Sequence, residues 1–385
     1  MSNEICIVAA RRTPQGKLAG ALANYSAVDL AIAAGQAALG GLDSTLIDSV
    51  ILGNVIAAGQ GMNIARQVGL RLGLPVTVPA FTVNMMCASG LQAVALAVQA
   101  IQAGPARVIL CGGTESMSNA PYLLERARAG YRLGDGKLVD ALLRDGLVDP
   151  LSREHMSGGV ERLATEYRVT RADQDAFALR SQRRHFEASE AGRFTAELTA
   201  LPELERDEHP RADTKLEKLA TLKPVFSPAG TITAGNASGI NDGAALLVVC
   251  DRAIARRHNW QPLAVIVGTA VVGCEPDRMG LGPVHAIRKL CEQHACRVED
   301  FDTLEINEAF AAQTLACLKE LNLTGDERVN PDGGAIAVGH PIGASGARLV
   351  VHLAHRLAAG QTQRGLGALC VGGGMGIAIA LGRAA

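Results

Sequence analysis

VNMMCASGLQAV, residues 83–94, sets a cysteine and three small residues at the head of an apolar stretch, directly after the strand-like VPAFTVN. The continuation, ASGLQAVALAVQAIQAG over 88–104, is apolar or small nearly all round. That pattern predicts a helix buried on every side rather than one with a wet face. Such a helix needs covering layers. The runs VILC (108–111), LLVVC (246–250), VIV (265–267) and IAIAL (377–381) supply strands between longer Ala-rich helical segments, so the chain reads as α/β.

The head of that helix has an echo. CASG near residue 88 matches GASG near 344, IDSVILGNV near 48 matches FDTLEINEAF near 302, and LCGG near 111 matches LCVGGG near 370. Three pairs in one order, each about 255 residues apart, predict two copies of one α/β unit. GARLVVHLAHRLAAG (346–360) would be the second copy's buried helix, with a few polar breaks. Between the copies, roughly 116–238, the texture changes. YRLGDGKLVDALLRDGLVDP, the charged RADQDAFALRSQRRHFEASEAGRF and ERDEHPRADTKLEKLATLKP predict a loop- and helix-rich insertion, placed as lid, substrate platform or oligomer contact. Its basic RSQRRH (180–185) reads as a solvated helix face.

Composition fits this picture and removes some functions. With 385 residues the chain has room for two or three domain-sized units. It is 48% hydrophobic with 43 glycines and only 3% aromatic residues, so packing runs through small and aliphatic side chains. A net charge of −1 offers no field for nucleic acid or an anionic membrane as partner. No uncharged apolar run approaches the ~20 residues that span a bilayer. MSNEICIVAARRTP runs into a strand without a charged-then-apolar leader, which gives the expectation of a cytoplasmic protein. Nine cysteines, with no CxxC and no zinc spacing, read as reduced thiols and no metal site.

Four places have residue types suited to chemistry. Cys87 heads the buried helix, where unpaired N–H groups favour a thiolate and can hold an oxyanion, while Ser89 and Gly90 leave space for a substrate; the competing reading is a small core hydrophobe. His340, among glycines in GGAIAVGHPIGASGAR (333–348), is placed for a base or oxyanion donor, or is a satisfied loop histidine. Cys370 ends a strand and enters the triple glycine of LCVGGGMG (369–376), whose N–H groups can turn toward a ligand; the Lys-Ser/Thr of a phosphate loop is missing. Asn307, with Glu308 in EINEAFAAQ (305–313), stands at a strand-to-helix transition, where an amide can hold a water, orient an imidazole or cap the helix.

VNMMCASG, INEAFA, GHPIGASGAR, CVGGGMG and TAGNASGINDGAA (233–245) together resemble the signature segments of the thiolases, and the likeness runs from RRTP to the last strand. The resemblance implies a five-layered αβαβα fold of two similar halves plus a loop domain. Residues 1–115 and 239–260 would then form the N-terminal half, 116–238 the inserted loop domain that binds coenzyme A, and 261–385 the C-terminal half. It implies Cys87 as the acylated nucleophile, His340 as its base and Cys370 as the thiol that moves the α-proton. Asn307 would hold a water beside His340 as one oxyanion site, with the N–H groups of Cys87 and Gly372 as the other. Arg211, Ser238 and His155 match coenzyme A or acyl-pocket contacts, and Met279 and Phe310 lie near the acyl group. No permanently bound cofactor is implied; coenzyme A and acetyl-CoA are substrates, and related chains form homodimers or homotetramers, the latter through a loop resembling YRLGDGKLVDALLRDGLVDP. Two departures stand out: a shorter segment between GRF (192–194) and Arg211, and Met375 in place of glutamine. A decarboxylating ketoacyl synthase shares the architecture but usually lacks the second thiol; a non-catalytic acyl-CoA-binding scaffold would have core cysteines only; a nicotinamide oxidoreductase lacks support because no GxGxxG follows the first strand.

Overall fold

The computed structural model describes residues 4–384. The first half runs β1 (Ile5–Arg12), β2 (Gly16–Lys17), α1 (Ala27–Leu39), β3 (Ser49–Gly53), α2 (Ile64–Arg71), β4 (Ala80–Val83), α3 (Ser89–Ala103) and β5 (Val108–Ser116). After the insertion, with β6 (Tyr122–Leu124), β7 (Leu138–Asp140), α4 (Ser157–Glu166), α5 (Arg171–Glu190) and α6 (Leu216–Ala220), come β8 (Asn241–Asp251) and α7 (Arg252–Arg257). The second half runs β9 (Ala264–Gly273), α8 (Gly282–Gln293), β10 (Thr303–Ile306), α9 (Ala311–Glu320), α10 (Ala335–Val338), α11 (Ile342–Ala358), β11 (Arg364–Val371) and β12 (Met375–Gly382).

The repeat is visible in the pairing. In the first half β3 lies parallel to β4 and β5, and β8 runs antiparallel between β5 and β1. In the second, β10 lies parallel to β11, and β12 runs antiparallel between β11 and β9. A single parallel bridge, Leu304↔Val329, stands where β4 stands in the first half. Strands β1 and β9 pair antiparallel at Ile5↔Ile266, joining the two half-sheets edge to edge.

Alternation along each strand builds the layers. In β8, Ala245, Leu247 and Val249 face the central layer, while Leu246, Val248 and Cys250 pack on the outer face. A strand covered on both faces is apolar throughout, which is why LLVVC shows no period of two. Helices α3 and α11 fill the space between the two half-sheets; α1 and α2 cover one outside and α8 and α9 the other. The result is the αβαβα order. Against the sequence expectation, the 18-residue stretch Met86–Ala103 is long and apolar enough to resemble a membrane span by composition, and its place between the sheets explains that. Burial is not complete on every side: Gln99, Gln102 and Ala103 in the last turn of α3 are exposed.

Helices α3 and α11 meet at glycines. A Cβ on Gly90 would lie 2.8 Å from the Gly343 carbonyl oxygen, and one on Gly346 would lie 2.7 Å from Leu91 Cβ. Gly90 therefore leaves room for the other helix, not for a substrate as its place in the sequence suggests. The insertion also departs from expectation. Ser181, Gln182 and His185 of RSQRRH are buried against the second half, and only Arg183 of that run is exposed. Nor is the short segment before Arg211 loose: Arg12 of β1 bonds Glu197 and Asp207 at 2.7 Å each. Glu197 also accepts from His352 at 2.8 Å, and His352 stands 3.2 Å from Asp332, which Arg193 and Arg356 also contact. A buried ion cluster thus joins both halves and the insertion.

Candidate active site

The heads of α3 and α11 open onto a cavity of about 510 Å³. Cys87, His340, Cys370 and Gly372 line it, with Ser238, His155, Met279 and Phe310 on the other walls. Asn307 stands behind His340. Arg211 is not brought to this cavity; it is exposed and borders a small neighbouring cleft with Gln182 and His209.

Cys87 lies two residues ahead of the first helical residue of α3. The turn that presents it is held by Ser89, whose hydroxyl accepts from the Met85 N–H at 2.9 Å and donates to the Met86 carbonyl at 2.6 Å. Met86, the residue before the thiol, takes the left-handed conformation with φ +48°. Such a conformation costs a bulky residue free energy and persists only where its surroundings enforce it. Burial pushes the Cys87 thiol up to about 11, while the backbone N–H groups of Gly372 and Cys87 at the sulfur pull the other way. Burial wins, so the resting group is a thiol, contrary to the thiolate expected from helix position alone.

His340 is shaped by its loop. Gly339 has φ +107°, and a Cβ there would lie 2.4 Å from Asn241 Cγ, so only glycine fits. Asn241 Oδ1 in turn accepts the His340 backbone N–H at 3.0 Å. Nδ1 lies 2.6 Å from Ser345 Oγ and 3.5 Å from Asn307 Nδ2. The serine has one proton and donates it to the Pro341 carbonyl at 2.8 Å. With that proton assigned to the carbonyl, the serine oxygen accepts from Nδ1–H and Nε2 is left as the bare acceptor. Nε2 is buried and has no partner among the described residues. Burial first, and then the Arg348 charge, hold the imidazole down to about 4. It is a neutral imidazole on a residue that lines the cavity.

Cys370 closes the set near the end of β11. Burial drives its thiol well above the usual range, with the nearby Cys87, Cys317 and Cys274 adding to the shift. A Cβ on Gly372 would lie 2.5 Å from Met156 Cε, so the glycine brings its backbone close under that thioether. Asn307 is buried, and it does not cap a helix: α9 begins at Ala311 with Phe310 as its cap residue. His155 stacks on Phe226 with ring centroids 4.0 Å apart, and its Nδ1 lies 2.9 Å from Ser157 Oγ. Among the described residues no group of three or more His, Cys, Asp or Glu is placed to hold a metal ion.

Sequence reading passed over several supports. Ser345 and Asn241 sit inside the quoted motifs, yet their partners lie across the fold. Glu115 is the clearest omission. Its buried carboxylate accepts from the N–H groups of Val55, Ile56 and Gly343 at 3.0–3.2 Å and from Asn54 Nδ2 at 2.8 Å. It ties the loop after β3 to the first turn of α11, and burial raises it to about 7. A carboxylate at the buried end of β5 was the one signal available for it.

Two α/β repeats that meet at a cavity with two thiols and a neutral imidazole define a class of protein suited to passing acyl groups between thioesters. Residues 5–253 match the family model for the thiolase N-terminal domain, and 260–383 the model for the thiolase C-terminal domain. The chain belongs to the thiolase family. It is 50% identical to an acetyl-CoA acetyltransferase of Escherichia coli, over 98% of each chain. It is 45% identical to a β-ketoadipyl-CoA thiolase of Pseudomonas aeruginosa, over 100% of each. Human mitochondrial 3-ketoacyl-CoA thiolase in complex with CoA superposes with a TM-score of 0.97 at 42% identity, covering 100% of this chain and 98% of the other.

Proposed function

We propose that this thiolase transfers acyl groups between acyl-CoA and acetyl-CoA, forming and cleaving 3-ketoacyl-CoA through an acyl group held on Cys87. One observation carries the assignment of roles: a bare, buried His340 Nε2 shares one cavity with the thiols of Cys87 and Cys370.

The proton balance follows from that placement. Nε2 takes the Cys87 proton as sulfur attacks the thioester, and the N–H groups of Cys87 and Gly372 face the developing oxyanion. The departing CoA thiolate takes the Cys370 proton and leaves as a thiol. Cys370 is then a thiolate made strongly basic by burial, which suits it to a weak carbon acid. It removes the α-proton of a second acetyl-CoA while the imidazolium and a water at Asn307 stabilise the enolate. The enolate attacks the Cys87 thioester, and the released sulfur recovers its proton from His340. In reverse, the same steps cleave a 3-ketoacyl-CoA.

The cavity accommodates the acyl end beside Met279 and Phe310 and the pantetheine arm along Ser238 and His155. Arg211 at the neighbouring cleft is assigned to the outer part of coenzyme A, and the 116–238 insertion is the coenzyme A platform of a two-half chain divided at 1–115, 239–260 and 261–385. The protein works in the cytoplasm as a homodimer or homotetramer; exposed Tyr122, Leu133 and Leu138 on and between β6 and β7 support an oligomer contact there. Steady-state thiolysis across a series of 3-ketoacyl-CoA lengths, with Cys87→Ala beside the parent, tests the reading. Turnover by the parent and none by the variant is expected; substantial turnover by Cys87→Ala contradicts it.

A further inference from the structure

Asn307 owes its place to its neighbour. Glu308 is 1% exposed, yet its side chain turns away from the cavity into a pocket of donors. Oε1 accepts from Asn330 Nδ2 at 2.8 Å; Oε2 accepts from Ser181 Oγ at 2.6 Å and from the Ile336 N–H at 3.2 Å. Asn330 also clamps the end of β10: its Oδ1 accepts the Ile306 N–H at 2.8 Å and its Nδ2 donates to the Ile306 carbonyl at 2.9 Å. Ser181 closes the ring by accepting the Gly334 N–H at 3.0 Å. A Cβ on Gly334 would lie 2.3 Å from the Glu308 carboxyl carbon, so the two segments are in close contact. The carboxylate links three pieces of chain: the strand end with Asn307, the 330–336 segment that leads to His340, and helix α5 of the insertion.

We propose that Glu308 is a positioning residue for the reaction, acting through Asn307: by fixing the end of β10 against the 330–336 segment and Ser181, it holds the Asn307 amide against the His340 imidazole. The inference rests on the roles given to Asn307 and His340 above. A carboxylate offers only acceptors and matches a site made of donors. Glutamine has the same shape but turns one N–H₂ toward a donor, so the ring opens on one side without loss of volume.

The test is a double-mutant cycle with Glu308→Gln and Asn307→Ala, read as deuterium exchange at the acetyl-CoA methyl and as acetyl-Cys87 formation by intact mass. Glu308→Gln alone slows exchange by ~10- to 100-fold, the cost of a small misplacement of a reacting group. Acetyl-enzyme formation, which uses His340 as base and the Cys87 and Gly372 N–H groups but not the water at Asn307, falls by a clearly smaller factor than exchange. In the Asn307→Ala background, Glu308→Gln has almost no further effect, because the residue through which it acts is gone. Ser181→Ala, a milder variant that removes one of the three donors, shows a smaller loss of exchange that also vanishes in that background. Equal fold-losses with and without Asn307 would overturn the proposal, as would parent-like exchange in Glu308→Gln. Absence of exchange and turnover in the parent would instead sink the thiolase roles themselves.

Discussion

At the scale of single residues, the thiol and the imidazole at this site are both neutral at rest. Cys87 is pushed up to about 11 and His340 down to about 4, each mainly by burial. A preformed thiolate–imidazolium pair would need the opposite order. Under the proposed function, proton transfer to Nε2 then accompanies attack on the thioester and does not precede it. The expected result is that alkylation of Cys87 by iodoacetamide, followed by peptide mass, keeps accelerating from about pH 7 toward about pH 10, since the thiolate fraction grows tenfold per pH unit below the thiol pKa. A flat rate across that range would mean the ion pair exists. That Cys87, His340 and Cys370 were candidates was legible in sequence because rare reactive types stood at strand ends and glycine loops, and the fold brings all three to one cavity. Their charge state was not, because desolvation depends on what the fold places around them. Nor was Ser345 legible as the residue that fixes the imidazole tautomer, since small polar residues in a glycine-rich loop reveal a partner only once the loop has closed.

At the scale of elements, the site exists because two helices approach head to head. The segment ahead of α3 presents Cys87 and the loop ahead of α11 presents His340, so the separation of these groups is set by the crossing at Gly90 and Gly346. In Gly90→Ala the new methyl would meet the Gly343 carbonyl at 2.8 Å and the Ala347 nitrogen at 2.9 Å, both backbone atoms that cannot swing aside. Forced insertion into a tight core typically costs ~1–3 kcal/mol. The prediction is a folded protein with a lowered melting temperature that has also lost most of its acetyl-Cys87 formation, measured by intact mass. Parent-like acylation in a destabilised variant would show that the crossing does not set the thiol–imidazole distance. The repeat of CASG in GASG disclosed the two helices and their common surroundings. It did not disclose that they touch, because a glycine that admits a neighbouring helix and one that admits a ligand look the same in sequence.

At the scale of the whole molecule, the two halves and the insertion are locked by the buried cluster around His352. Burial works against its charge, but Glu197, Asp332 and Glu305 outweigh burial and raise it to about 9. Its unfolded value is about 6.5, so this contribution to stability is complete below about pH 6.5 and is lost as pH rises through about 9. His185 and His340 do the reverse: buried and held to about 4, they favour the fold above about 6.5 and weaken it as pH falls toward 4. The melting temperature is expected to peak near pH 6.5. In His352→Gln it falls at about pH 6, and the gap to the parent closes above about pH 9; a gap independent of pH would refute this account of the cluster. No such cluster was legible, since Arg12, Glu197, Asp332 and His352 are scattered along the whole chain and RSQRRH looked solvated. Under the proposed function, two thiols in one cavity divide two half-reactions between them. Acylation of Cys87 needs a nucleophile, a base and an oxyanion site, whereas condensation also needs a base for a carbon acid. The most direct measurement is on Cys370→Ala, with acetyl-enzyme formation read by intact mass and deuterium wash-in read at the acetyl-CoA methyl. Acylation should survive at a reduced rate, with the departing CoA thiolate taking its proton from water in place of Cys370, while wash-in should fall by ~10²–10⁴-fold, the usual worth of a placed acid–base group; wash-in at the parent rate with acylation lost would show that the roles of Cys87 and Cys370 are reversed.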